Sequence, residues 1–198
     1  DFDVNLVMKG IEDALAGVEP PMNEEETVRA IALHQEEAFH KHSKINLQLA
    51  EEFLTANRMN DDIIELEDGK VQYCIEQTGN GDVVTDESSP TIRYSGEFID
   101  GNIFASSEEE EVITLSETIP GLAKAIVGMR EGEKRVAYIH PELAYGESAA
   151  GYLPPNAMLT FHIEVVKADT PMFDTEDLPV DQSFEELALD QMEAGTLR

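Results

Sequence analysis

Residues 119–139 read IPGLAKAIVGMREGEKRVAYI, and this stretch contains a helix, a turn and a strand in succession. Residues 119–129 favour a short helix, because Pro120 stands near the first turn, where its missing N–H is tolerated. Residues 131–133 then turn the chain, and residues 134–139 have strand character. A helix followed by strands, in a region of short strands, predicts an α+β fold.

Alternating strand patterns lie on both sides of this stretch. The segments with strand character are residues 70–77, 91–99, 112–115 and 158–166. Asp100-Gly101 follows the second of them and is a strong hairpin signal. Residues 70–168 are therefore predicted to form a small antiparallel sheet wrapped on one short helix. The side chains expected on one face of the last strand are Leu159, Phe161, Ile163 and Val165.

Residues 1–57 have helical spacing instead. A short amphipathic helix is predicted over residues 6–18, and it ends at Pro20. Residues 22–68 contain neither Pro nor Gly, and Asn23 followed by three glutamates is typical of a helix N-terminus. We expect one helix of about 30 residues, roughly 45 Å long. Its stripe of apolar or neutral side chains is Val28, Ile31, Gln35, Ala38, His42, Ile45, Leu49 and Phe53.

The middle of this long helix is polar on nearly every side. We therefore expect the helix to run through solvent as a rod between two packed ends, with residues 58–69 as the linker to the sheet domain. The short first helix is too small to cover Val28, Ile31 and Leu33 at the other end. A second copy of the chain would supply the missing apolar partner, which predicts a homodimer joined through the N-terminal helices.

The charge balance excludes whole classes of partner. Asp plus Glu number 42 against 13 Lys plus Arg, and the net charge of −29 is spread along the chain. Nucleic acids and anionic membranes are bound through Lys and Arg, so neither is expected as a partner. No apolar run of about 18 residues occurs that would span a bilayer. Residues 1–3 lack the basic start of a signal peptide.

Residues 169–198 are acidic and contain two prolines. We expect a mostly disordered tail with one short amphipathic helix. Ser183 with Glu186 matches a capping box, and that helix would extend through Met192.

Metal and nucleophile sites are not indicated. His34, His40 and His42 do not share one face of a helix. The single cysteine, Cys74, excludes an internal disulfide and a Cys-rich zinc site. Residues 108–111 are four consecutive glutamates that diverge from one another, whereas calcium ligands must converge. No metal and no cofactor are expected.

Eight short strings in the sheet domain resemble the FKBP-type peptidyl-prolyl isomerases. Each string alone is a weak signal, but eight in the family's order, covering nearly all of residues 70–168, are highly specific. The strings are Tyr94-Ser95-Gly96, Asp100-Gly101 with Phe104-Ala105-Ser106-Ser107, Ile119-Pro120-Gly121-Leu122, Gly128-Met129-Arg130-Glu131-Gly132-Glu133, Ile139-His140-Pro141, Ala144-Tyr145-Gly146, Leu153-Pro154-Pro155-Asn156 and Leu159-Thr160-Phe161.

The resemblance extends upstream of the sheet domain. A helical N-terminal region, a long connecting helix and residues 53–57 (FLTAN) are similar to the macrophage infectivity potentiator (Mip) group of bacteria. Members of that group are homodimers of the cell envelope. The resemblance thus implies dimerisation through residues 1–57 and an envelope location, reached after removal of a signal peptide that this sequence does not contain.

The resemblance also implies an activity and a site. The implied activity is acceleration of X-Pro isomerisation during protein folding, with proline-containing polypeptides as substrates and macrolides as inhibitors. The residues implied as catalytic are Tyr94, Phe104, Ile119, Tyr145 and Phe161, and those implied as substrate-binding are Ala105, Thr118, Leu122, Tyr152 and Leu153. The Ile119 N–H and the Tyr145 hydroxyl would hold substrate carbonyl groups.

Three positions depart from the family's pattern. Ala105 stands where the family has Asp, Leu122 replaces an aromatic pocket floor, and Glu111 takes an apolar position. Loss of the Asp leaves two readings open: an active isomerase, or a catalytically weak binding module or chaperone of the same fold. A purely acidic surface protein is a third reading, but it leaves the pocket residues without a purpose.

Overall fold

The structure, a computed structural model, describes residues 3–107, 109–148 and 153–170. Two helices precede the sheet domain, and a third lies within it. The helices are α1 (Val4–Leu15), α2 (Glu24–Asn57) and α3 (Pro120–Ile126). The strands are β1 (Ile64–Leu66), β2 (Val71–Gln77), β3 (Thr91–Phe98), β4 (Ile103–Ser106), β5 (Glu111–Val112), β6 (Lys134–Ile139) and β7 (Leu159–Lys167). Single 3₁₀ turns lie at Glu67–Gly69, Leu115–Glu117 and Pro141–Leu143.

The seven strands form one antiparallel sheet in the order β1-β2-β6-β7-β3-β4, with β5 paired to β3. The longest pairing joins β3 to β7, where Gly96 lies opposite Phe161. Two strands were not anticipated: β4, which completes the hairpin signalled by Asp100-Gly101, and β1. Because β1 pairs with β2, the sheet begins inside residues 58–69, the range interpreted as a linker.

The core lies between α3 and the concave face of the sheet. Leu122, Ala125 and Ile126 of α3 are buried against the strands. The predicted inward face of the last strand is confirmed, since its four residues are buried: Leu159, Phe161, Ile163 and Val165. Gly121 permits this packing, because a Cβ there would lie 2.3 Å from Ile139 Cγ2. The expected fold of one short helix on an antiparallel sheet is confirmed.

A buried ion pair lies beneath the sheet. The Arg135 guanidinium donates through Nε to Glu133, and Nη1 donates to the Ala125 carbonyl at 2.9 Å. The same guanidinium lies 4.2 Å from the centre of the Tyr73 ring. Glu133 also accepts from the Arg130 N–H at 3.1 Å. Both charges are thus hydrogen-bonded, which burial of a charge requires.

Helix α2 has 34 residues and begins as predicted. Asn23 accepts from the Glu26 N–H, and Glu26 accepts from the Asn23 N–H, both at 2.9 Å, which forms a complete capping box. From residue 24 to residue 37 every side chain is exposed or nearly so. The apolar residues there have no partner within the described chain: Val28 is 62% exposed and Ile31 is 53% exposed.

The second half of α2 packs on the sheet domain, as expected for that end of the helix, but the expectation of a solvent-surrounded middle is wrong at Ser43. Ser43, Ala50 and Leu54 are buried, and the Phe53 ring lies 5.3 Å from the Tyr138 ring. The buried face is also displaced from the predicted stripe, because Ile45 and Leu49 remain exposed. Within the described residues, no helix is both long enough and apolar enough to cross a membrane.

Candidate active site

An aromatic cluster occupies one end of the concave sheet face. Tyr94, Gly96 and Phe98 alternate along β3 and therefore share this face. Phe161 of β7 and Phe104 of β4 meet edge to face above Gly96, with ring centres 5.6 Å apart. The Tyr94 ring lies 6.3 Å from that of Phe161. Three of the five residues implied as catalytic thus lie together, with the Phe161 ring in contact with both of the others.

Gly96 is required beneath these rings. A Cβ at this position would lie 2.6 Å from Phe104 Cζ and 3.0 Å from Phe161 Cε1. Both distances are shorter than van der Waals contact, so a side chain here would displace the rings. The Tyr94-Ser95-Gly96 string therefore has a steric reason in the structure.

The cluster is apolar and remains open on one side. Phe161 is only 4% exposed, whereas Tyr94 and Phe104 are half-buried and present part of their rings to solvent. The backbone of Tyr94 is held by Ser107: its N–H donates to Ser107 Oγ at 2.9 Å, and its carbonyl accepts from the Ser107 N–H at 2.9 Å. A rigid, partly open aromatic surface of this kind suits a small apolar ring.

Ile119 lies at the start of α3 with its side chain half-buried against the same core. Its carbonyl accepts from the N–H groups of Leu122 and Ala123, at 3.0 and 3.1 Å. Its own N–H donates to no group among the described residues, as is usual at a helix N-terminus. The Ile119 N–H is thus available to a ligand carbonyl, as the resemblance implies.

Tyr145 lies apart from the ring cluster. Its side chain is 44% exposed, and no ring of the described residues contacts it. Its hydroxyl has no hydrogen-bond partner in the described part of the chain. The residue lies two positions after the 3₁₀ turn Pro141–Leu143.

The remaining implied residues have varied positions. Leu122 is buried in the hydrophobic core, against which Ile119 also packs. Leu153 is buried too, but it does not belong to that hydrophobic core. Ala105 is half-buried on β4, where it lies opposite Gly96. Thr118 is half-buried with an extended backbone just before Ile119. Tyr152 lies outside the described residues.

Phe98 is a member of the cluster that sequence reasoning did not select. Its ring stacks on that of Phe104 with centres 4.9 Å apart. The signal was available in the alternation of Tyr94, Gly96 and Phe98, which places all three on one face. Elsewhere, no group of three or more His, Cys, Asp or Glu side chains in the described ranges is arranged to hold a metal ion.

Comparison with known proteins identifies the two halves of the chain. Residues 76–166 match the family model of the FKBP-type peptidyl-prolyl cis-trans isomerases, and residues 1–75 match the model of the domain amino-terminal to those isomerases. The isomerase match contains the ring cluster, Ile119 and Tyr145. The amino-terminal match contains both N-terminal helices, α1 and α2.

Three relatives span most of this chain. A protein of Chlamydia pneumoniae named peptidyl-prolyl cis-trans isomerase Mip is 43% identical over 170 residues, which are 84% of this chain and 65% of that protein. The protein of the same name from Chlamydia muridarum is 40% identical over 174 residues, 85% of this chain and 71% of that protein. The outer membrane protein MIP of Legionella longbeachae is 28% identical over 177 residues, 84% of this chain and 76% of that protein. The chain therefore spans about two thirds to three quarters of the length of these relatives.

A solved structure shares the fold over nearly the same range. FkpA from Escherichia coli superposes with a TM-score of 0.70 at 24% identity, and the match covers 85% of this chain and 84% of that one. That coverage includes helical residues as well as the sheet. The chain therefore belongs to the FKBP-type peptidyl-prolyl cis-trans isomerases, and both the family and the α+β fold expected from its sequence are confirmed.

Proposed function

We propose that this chain binds proline residues of polypeptides at the aromatic cluster and accelerates rotation about the preceding X-Pro bond. Amide resonance gives that rotation a barrier of about 18–20 kcal/mol. The reaction breaks no covalent bond, so it needs neither a nucleophile nor a metal. An active site must instead favour the twisted amide, whose carbonyl has lost resonance polarity and is less stabilised by water than the planar form.

The single observation that carries the proposal is the perpendicular pair Phe104 and Phe161 above Gly96, with Tyr94 beside it. This surface can enclose a pyrrolidine ring and exclude water from the amide nitrogen. The unpaired Ile119 N–H supports a role in holding a substrate carbonyl. Thr118, Leu122 and Leu153 are proposed as further substrate contacts, and macrolides as ligands of the same surface.

A protease-coupled peptide assay, or the refolding of a protein limited by proline isomerisation, tests this proposal. Acceleration above the uncatalysed rate is the expected result, and a rate equal to background contradicts it. We expect Tyr145→Phe to lower kcat/KM by about 2- to 10-fold, the equivalent of one hydrogen bond to substrate. Tyr138→Phe is the matched control, because Tyr138 packs on Phe53 of α2 away from the cluster. An equal loss in both variants would contradict the role of the Tyr145 hydroxyl.

Ala105 favours a second candidate function, a binding module or chaperone of low turnover. Ala105 lies opposite Gly96 beside the rings and has no carboxylate to orient hydrogen bonds in the cleft. We expect Ala105→Asp to raise kcat/KM by roughly 3-fold or more, as one charge-assisted hydrogen bond would. Unchanged turnover would remove the missing carboxylate as an explanation. A flat assay trace with retained macrolide binding would favour the chaperone over the enzyme.

The assembly and location are also proposals. We propose that residues 1–57 form a dimerisation domain, that residues 70–168 form the isomerase domain, and that residues 169–198 are an acidic tail. The exposed apolar residues of both N-terminal helices support a homodimer. The name of the Legionella longbeachae relative supports an envelope location. The net charge of −29 argues against nucleic-acid partners.

A further inference from the structure

Helix α2 contacts the isomerase domain at two short segments that carry proposed site residues. Residues 144–148 contain Tyr145, and residues 153–157 contain Leu153; we call these the site segments. The two segments are joined to each other, since the Asn156 N–H donates to the Gly146 carbonyl at 2.7 Å. A residue on α2 that holds one segment therefore influences the other.

Ser43 of α2 bonds to both site segments at once. Its hydroxyl donates to Glu147 Oε1 at 3.2 Å and accepts from Asn156 Nδ2 at 2.9 Å. Ser43 is 4% exposed, so water does not readily replace these partners. Asn156 itself has a φ of 51°, a left-handed backbone that is restricted for most residues, which limits how the second segment can shift.

Asn46 lies one turn further along the same face of α2. Its Nδ2 donates to the Pro155 carbonyl at 2.8 Å. His40 adds an exposed contact on the other side of Ser43, with Nδ1 3.7 Å from Glu147 Oε1. The polar contacts of α2 with the site segments are therefore concentrated at two side chains, Ser43 and Asn46.

We propose that Ser43 and Asn46 are positioning residues for the isomerase site. They hold the site segments in the arrangement that presents Tyr145 and Leu153 to a bound proline. The side-chain hydrogen bonds of Ser43 and Asn46 go to the site segments and not to the ring cluster. Their effect is therefore on the fraction of molecules that can bind substrate, and the apparent dissociation constant rises when that fraction falls. This inference rests on the proposed function of the ring cluster.

The test is the double variant Ser43→Ala with Asn46→Ala in the full chain. We expect KM for a proline peptide to rise by about 3- to 10-fold, with kcat within about 2-fold, since two hydrogen bonds are lost outside the reacting groups. Leu54→Ala separates positioning from simple docking of the helix: Leu54 packs on Ala50 and Met158, so its truncation weakens the docking of α2 without removing either bond. Gln48→Ala is the exposed control, because among the described residues the Gln48 side chain bonds only to Glu52 of its own helix.

An unchanged KM in the double variant, or an equal rise in Leu54→Ala, would overturn the proposal. Amide hydrogen exchange within the site segments gives a readout independent of activity. Faster exchange there in the double variant than in Leu54→Ala supports the proposal, and equal exchange overturns it. If the unaltered chain shows no isomerase activity, the proposed function fails, while hydrogen exchange still decides whether Ser43 and Asn46 order the segments.

Discussion

The two halves of α2 differ in their surroundings. Residues 24–37 contain three large apolar side chains, Val28, Ile31 and Leu33, and all three are exposed. Residues 38–57 bury Ser43, Ala50 and Leu54 against the sheet domain, although Ile45 and Leu49 of the same half remain exposed. Burial along this helix thus follows the position of a packing partner and not apolarity alone. The exposed half, like α1, presents large apolar side chains that a second protein surface would cover.

The largest expected effect is on assembly. We expect Val28→Glu with Ile31→Glu to convert a dimer to a monomer. Burying these side chains on both protomers contributes about 1.5 kcal/mol each, or roughly 6 kcal/mol per dimer. Sedimentation equilibrium measures the change. Ala30→Glu, on the opposite side of the helix from Val28, is the control and is expected to leave the mass unchanged. A monomeric unaltered chain would end the dimer proposal.

The second effect concerns the sheet domain, which has a core of its own. We expect Arg135→Met to lower the free energy of unfolding by about 3–5 kcal/mol, because it leaves the buried Glu133 carboxylate without its partner. Urea denaturation measures the loss. The same substitution at the exposed Arg29 of α2 is expected to change stability by less than about 0.5 kcal/mol. Similar losses of stability in Arg135→Met and Arg29→Met would contradict the difference expected between the buried ion pair of the sheet domain and the exposed half of α2.

The smallest effect concerns pH at the edge of the packed half of α2. Burial lowers the pKa of His140, with Lys70 acting in the same direction and Glu142 and Glu51 of α2 opposing it. The folded state therefore binds this proton less readily than the unfolded state. Its contribution to stability is present above the ordinary histidine pKa of about 6.5 and is lost as the pH falls below it.

Protonation would also remove an acceptor, since His140 Nδ1 accepts from the Glu142 N–H at 3.1 Å. We expect His140→Asn, which keeps an acceptor and does not titrate, to reduce the loss of stability between pH 7 and pH 5. Urea midpoints of both proteins at the two pH values measure the difference. A larger loss in the variant would contradict this role of His140.

Local signals predicted much of this structure. The N-cap at Asn23, the strand Lys134–Ile139 and the inward face of β7 follow from residue type and spacing, because hydrogen-bond caps and side-chain alternation are short-range effects. The order of the eight family strings predicted the family itself. The short strand β1 was missed, since three residues carry almost no periodic signal.

The contacts of α2 with the sheet domain could not be predicted in the same way. Ser43 and Asn46 are ordinary polar residues on a polar stretch of helix, and their partners at Glu147, Pro155 and Asn156 are about a hundred residues away. For Phe98, alternation along β3 indicates the face of the sheet but not which ring its side chain contacts. Its ring stacks on Phe104 of the neighbouring strand, and the register of that hairpin is set by tertiary pairing.

The sequence by itself determined most of the helical and strand segments, the acidic charge, the family and the aromatic residues of the ring cluster. These depend on residue type and on neighbours a few positions away. Only the tertiary structure decided which face of α2 is buried, how the rings meet above Gly96 and which residues hold the site segments. Those features depend on contacts between residues that are far apart in the sequence and meet only when the chain has folded. A local sequence pattern does not indicate which distant surface an element will pack against.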